Sequence, residues 1–88
     1  MTVFILPIEG ERHRVGITAT KKGIGTKAHD RNRAKRLLRE TFRLSKAELD
    51  TLTAKYDWVL NARKRILGEK LEKPLAEFKQ IVEKLAAR

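Results

Sequence analysis

The chain has no cysteine. That excludes disulfides and cysteine-ligated metal sites, and it fits a reducing compartment. Long apolar runs are also missing, so no stretch spans a bilayer. The opening MTVFILPIEGE has no basic leader and only a short apolar run, unlike a secretory signal. The expectation is a soluble cytoplasmic protein. Repeats and low-complexity tracts are absent, and 88 residues make one small domain, residues 1–88, with a modest core. Carboxylates never cluster at metal-ligand spacing, so no cofactor is expected on the protein itself. Histidine occurs only twice, as His13 and His29.

Acid is scarce where base is dense. The formal charge is +10, from 21 Lys/Arg against 11 Asp/Glu. Lys21 to Lys46 alone holds ten cations against Asp30 and Glu40, which places +8 of the excess in one stretch. Such a local excess is the electrostatic footprint of a nucleic-acid binder. An anionic membrane is the weaker partner, because a membrane-surface helix needs bulky apolar residues opposite its basic face. Here the apolar side is explained by a protein core.

The organising stretch is His29 to Lys46, HDRNRAKRLLRETFRLSK. Wound as an α-helix at about 100° per residue, it puts Asn32, Lys35, Arg36, Arg39, Arg43 and Lys46 within one third of the circumference. Ala34, Leu37, Leu38, Thr41 and Leu44 fall opposite. One face packs on a core. The other is a ladder of cations with one amide and no acid, unlike the mixed signs of an ordinary solvated face. Arginine forks also suit bidentate phosphate contact.

In chain order, Val3 to Ile8 is a short strand that Pro7 demotes towards an edge. Glu9-Gly10-Glu11 signals a turn. Arg12 to Thr20 alternates, with Val15, Ile17 and Ala19 on one face and Arg14, Gly16, Thr18 and Thr20 on the other. Together they suggest an antiparallel hairpin. Lys21 to Lys27 is a basic glycine loop able to cradle phosphate at the helix N-terminus, though it is no Walker loop. Thr26 or Asp30 is expected to cap the helix. The helix should end between Leu49 and Thr53. Tyr56 to Arg63 is the third strand, with Trp58, Leu60 and Ala62 on one face and Val59, Asn61 and Arg63 on the other. Ile66 to Lys73 connects, and Pro74 opens a C-terminal helix that buries Leu75, Phe78, Ile81, Val82 and Leu85. The order is β-β-α-β-α, an α+β domain whose small sheet of about three strands is packed by helices. Candidate nucleic-acid contacts are the six ladder residues, the loop lysines Lys21, Lys22 and Lys27, and Arg63.

RVGITATKK, RNRAKRLLRETFR and YDWVLNARK resemble the bacterial ribonuclease P protein subunit. The family pattern is a strand ending in paired basic residues, a glycine loop, and a helix opening Arg-Asn-Arg. Here these are Lys21-Lys22, Gly23/Gly25 and Arg31-Asn32-Arg33, followed by Lys35-Arg36 and Arg39-Glu40. The resemblance covers nearly the whole chain. It implies a ribosomal-protein-S5-domain-2-like fold with a left-handed βαβ crossover, against the general right-handed preference. It implies a subunit of a ribonucleoprotein endonuclease that removes 5′ leaders from precursor tRNA. In that enzyme the chemistry belongs to RNA with bound Mg²⁺, and no protein residue is catalytic. By motif, Arg31, Asn32, Arg33, Lys35, Arg36 and Arg39 carry over as RNA contacts. On the open sheet face, Arg14, Thr18, Thr20, Asn61 and Arg63 are candidates for the leader.

The chain departs from the family in three ways. It begins at the first strand, without the family's N-terminal helix. Its loop before Arg31 looks longer, and Asp30 stands where an apolar or basic residue is common. Uncovered apolar surface then predicts a homodimer, built through the sheet and possibly by exchange of the hairpin or C-terminal helix. Two rivals stand beside this reading. One is another small RNA-binding module, such as a ribosomal protein. The other is a self-sufficient nuclease using His13 and His29 as an acid–base pair, for which surface histidines are the plainer account.

Overall fold

A computed structural model describes residues 1–87 of the chain. Strand β1 runs Thr2–Ile8 and β2 runs Arg14–Thr18. Helix α1 is Ala28–Leu44, followed at once by a single turn, α2, Lys46–Leu49. Strand β3 is Lys55–Asn61, a 3₁₀ helix covers Lys64–Gly68, and helix α3 is Glu72–Ala86. This is the expected α+β order.

The sheet is mixed, in the order β1-β3-β2. Strand β3 pairs antiparallel with β1 and parallel with β2. The expected hairpin is therefore wrong: β1 and β2 are neighbours in sequence but opposite edges of the sheet. The reason lies in β3, whose buried positions Trp58 and Leu60 carry the bulk of the sheet's apolar contribution. A strand with that much to bury takes the centre, where both of its edges are paired.

Register follows from the period-2 alternation of strands. Val3, Ile5 and Ile17 are half-buried beside Trp58, Leu60 and Ala62 on the helix side. On the other side Thr2, Asn61 and Thr18 form one row, Phe4, Val59 and Gly16 a second, and Leu6, Asp57 and Arg14 a third. Helices α1 and α3 cover only the first face. Ala34 and Leu38 from α1 and Phe78 and Val82 from α3 complete the core around Trp58, each at most 1% exposed. Phe78 and Trp58 meet edge-on, with ring centroids 5.2 Å apart, a favoured aromatic geometry.

The long helix departs from expectation at its end. It breaks at Ser45, which is fully buried, and its hydroxyl donates to the Thr41 carbonyl at 2.9 Å. Thr41 likewise donates to the Leu37 carbonyl at 2.9 Å. Two successive back-bonds of this kind bend and weaken a helix. The break turns Leu44 out, so it is 39% exposed rather than core. Phe42 takes its place, with its ring centroid 5.8 Å from that of Phe78.

Candidate nucleic-acid interface

The loop between β2 and α1 is built by its own backbone demands. Thr20 opens it: its hydroxyl accepts the Gly23 N–H at 3.0 Å, and its carbonyl accepts the Ile24 N–H at 2.9 Å. Ile24 is then driven into the core at 2% exposure. A Cβ at Gly23 would lie 3.1 Å from the Ala62 carbonyl oxygen, so a side chain here would push the loop a few tenths of an ångström away from the end of β3. Gly25 has φ +129°, a conformation that side chains rarely adopt. The loop thus comes to rest beside Arg63, whose Nε donates to Thr2 Oγ1 at 2.9 Å.

Helix α1 starts without a side-chain cap. Lys27 occupies the N-cap position, and neither Thr26 nor Asp30 caps the first turn. Asp30 still lies in that turn, where a carboxylate suits the helix dipole. Closure of the loop falls to Arg31 instead. Its guanidinium Nη1 donates to the carbonyls of Thr26, at 2.9 Å, and Gly25, at 3.2 Å. Arg31 is half-buried in consequence.

Because β2 and β3 are parallel, their C-terminal ends share one edge of the molecule, and α1 begins there. Lys21, Lys22, Lys27 and Arg63 therefore gather at the end from which the α1 ladder starts. Asn32, Arg36, Arg39, Arg43 and Lys46 are exposed along α1 and into α2, while Lys35 is half-buried. Arg33 is exposed on the flank of this stripe, above the 3₁₀ segment. Within α1, from Asn32 to Arg43, the stripe is about 17 Å long at 1.5 Å per residue, and Lys46 carries it past the break. It is not free of acid, as the sequence suggested. Arg43 pairs with Glu40 one turn back, and that pairing holds the Glu40 carboxyl below its ordinary pKa. The i, i+3 spacing was visible in the sequence.

The open sheet face is more apolar than expected. Phe4 is 57% and Leu6 64% exposed, with Val59 between them and β2. The sequence hid this because β1 is apolar at nearly every position, so alternation carried no signal. Of the polar candidates, Thr18 donates to Asn61 Oδ1 at 3.0 Å, and Arg14 holds Asp57 through two bonds of 2.7 and 2.8 Å. Thr20 serves the loop. Arg14 and Asp57 thus satisfy each other, and the Arg14 hydrogen bond pulls the Asp57 carboxyl below its ordinary pKa.

Neither histidine is placed as an acid–base pair. His13 is not a plain surface residue: its Nδ1 accepts from the Tyr56 backbone N–H and from Trp58 Nε1, both at 3.1 Å. Its Nε2 donates to the Leu49 carbonyl at 3.2 Å, so both nitrogens are committed. His29 is exposed in the first turn of α1. Among the described residues no three His, Asp or Glu side chains gather as a metal site, and no helix is long and apolar enough to cross a membrane.

Comparison with known proteins agrees with this geometry. A family model described as Ribonuclease P matches residues 1–86. A ribonuclease P protein component of Haemophilus influenzae (strain PittGG) is 45% identical over 78 residues, covering 89% of this chain and 58% of that protein. One from Escherichia coli O157:H7 is 46% identical over 63 residues, covering 68% of this chain and 52% of the other. One from Histophilus somni (strain 2336) is 46% identical over 56 residues, covering 64% and 43%. The chain spans about half the length of the curated relatives it matches. No solved structure matches it.

Proposed function

The chain belongs to the ribonuclease P protein family, and on that premise we propose that it is the RNA-binding part of the enzyme's protein subunit, assisting a catalytic RNA in removing 5′ leaders from precursor tRNA. The observation that carries this is the exposed cation stripe of α1, running from a lysine-bearing glycine loop. Helix cations spaced one turn apart neutralise successive phosphates, which gives strong, salt-dependent and largely sequence-independent affinity. Lys21, Lys22, Lys27 and Arg63 extend the positive field past the helix start. Asn32 adds an amide that can pair with a base edge or a 2′-hydroxyl at a junction.

The open sheet face supports a second contact, with the single-stranded leader. Its exposed Phe4, with Leu6 and Val59, offers the apolar platform on which bases of any sequence stack. Thr18, Asn61 and Arg63 supply polar groups at its end. The protein's part is binding and positioning. Mg²⁺ comes with the RNA, and the work belongs in the cytoplasm, where tRNA precursors are made.

The test is reconstitution. Added to ribonuclease P RNA and precursor tRNA at low Mg²⁺, the protein should accelerate leader removal, and it should cleave nothing alone. No acceleration, or cleavage by RNA-free protein, overturns the proposal. The exposed Phe4 and Leu6 also favour a second reading of the same face, as the seam of a homodimer joined sheet to sheet. Light scattering over a concentration series separates the two: a mass fixed at one 10.2 kDa chain leaves the face to RNA.

A further inference from the structure

At the far end of the α1 stripe, away from the glycine loop, a groove opens between the start of β2 and the α1–α2 break. Val15, Phe42 and Leu49 form its apolar part, and Arg12, Arg39, Lys46 and Lys55 bring cations to it. None of these four cations makes an ion pair among the described residues. Glu11 and Asp50 are the only carboxylates lining it, so the balance stays positive. The groove is rigid on one side, because His13 is bolted to Leu49, Tyr56 and Trp58. Val15 is 38% exposed although it projects to the core side of the sheet. The α1–α2 break leaves that apolar surface open.

We infer that this groove takes one unstacked nucleotide of the RNA lying along α1. Its base would lie against Val15 and Phe42, and its phosphates between Arg12, Arg39 and Lys46. Two features choose this occupant. Arg39 and Lys46 belong to the helix stripe and to the groove at once, so a strand following the stripe is led into it. An aromatic and aliphatic floor under a cationic rim matches a nucleotide's π-face and charge. A paired duplex cannot use the floor. The inference rests on the RNA-binding reading of α1 and adds a preference: RNA with a splayed nucleotide over RNA fully paired.

Two RNA hairpins of equal length test it, one fully paired and one carrying a single-nucleotide bulge, with binding read by fluorescence anisotropy. The whole chain should bind the bulged hairpin about tenfold more tightly, the scale of one stacked base. Val15→Glu puts a carboxylate on the floor and should erase that preference, weakening the bulged hairpin about tenfold more than the paired one. Arg12→Glu, at an exposed position, should reduce the preference without touching the core, and keeps the test decisive if Val15→Glu fails to fold. Equal binding of both hairpins by the unmodified chain overturns the groove and leaves the α1 reading intact. Binding of neither hairpin overturns both. A doubled mass in light scattering that Val15→Glu abolishes would give the groove to a second copy and overturn the inference.

Discussion

Replacing His13 removes three hydrogen bonds at once and leaves two donors behind. The Trp58 Nε1–H lies on a side chain that is fully buried, and among the described residues His13 is its one acceptor. A buried donor left unpaired costs about 1–3 kcal/mol. His13→Ala should therefore destabilise the fold by about 2–3 kcal/mol, or roughly 10–20 °C in Tm for a domain this size. Thermal melts followed by circular dichroism check it. His13→Asn, which keeps an acceptor, should recover part of the loss. A Tm unchanged in His13→Ala would mean that the Trp58 and Tyr56 donors find water instead. This role was not legible in the sequence. A histidine beside a turn has no periodic pattern, and its three partners lie 36 to 45 residues away.

Within α1 the cations divide by what they already touch. Arg31 donates to two loop carbonyls, whereas Arg36 is exposed and free to meet phosphate. Arg36→Ala should lower the slope of log affinity against log salt by about one unit. Arg31→Ala should weaken binding by loosening the loop, with a smaller change in slope than Arg36→Ala. Equal slope changes would make Arg31 an ordinary phosphate contact. Much of this helix was legible in the sequence. Burial of Ala34, Leu38 and Thr41 follows from the 3.6-residue period, as does exposure of the stripe. The break at Ser45 was not, because helix periodicity continues through it. The cause is the buried hydroxyl of Ser45 back-bonding to Thr41, which depends on tertiary burial rather than on spacing. The loop's closure by Arg31 was hidden for a related reason: a side chain that reaches back six residues leaves no local signature.

Over the whole molecule, charge sets the response to acid. Asp57 is held below its ordinary pKa by hydrogen bonding to Arg14, and Glu40 by hydrogen bonding to Arg43. Glu48 is lowered by its own backbone N–H and by Lys79. A carboxylate whose folded pKa is depressed stabilises the fold above its unfolded pKa and loses that contribution as pH falls through the folded one. All three shifts have this sign. Stability should therefore hold from neutral pH to the ordinary carboxylate range, near pH 4, and fall below it. Each protonation also adds to a chain already at +10, which steepens the fall. Urea titrations at pH 7, 4 and 3 check this, and Asp57→Asn should make the acid limb shallower. An acid limb unchanged by that substitution would remove the Arg14 pair from the account. At this scale the sequence showed the strands and their faces but not their neighbours. Alternation tells which side of a strand is buried and says nothing about which strand lies beside it.

The strand order β1-β3-β2 has a consequence in time. Neither edge strand pairs with the other, and both pair only with β3. A chain emerging from the ribosome therefore carries two unpartnered strands and the whole α1 segment before any ladder can close. Every sheet contact is long-range in sequence, which slows folding by the entropy of loop closure. The basic α1 segment is thus exposed to RNA before the sheet exists. A peptide of residues 1–54 should show helix but no strand signal by circular dichroism, and adding a peptide of residues 55–87 should restore the strand signal. Strand structure in the first peptide alone would mean that β1 and β2 can pair while they wait.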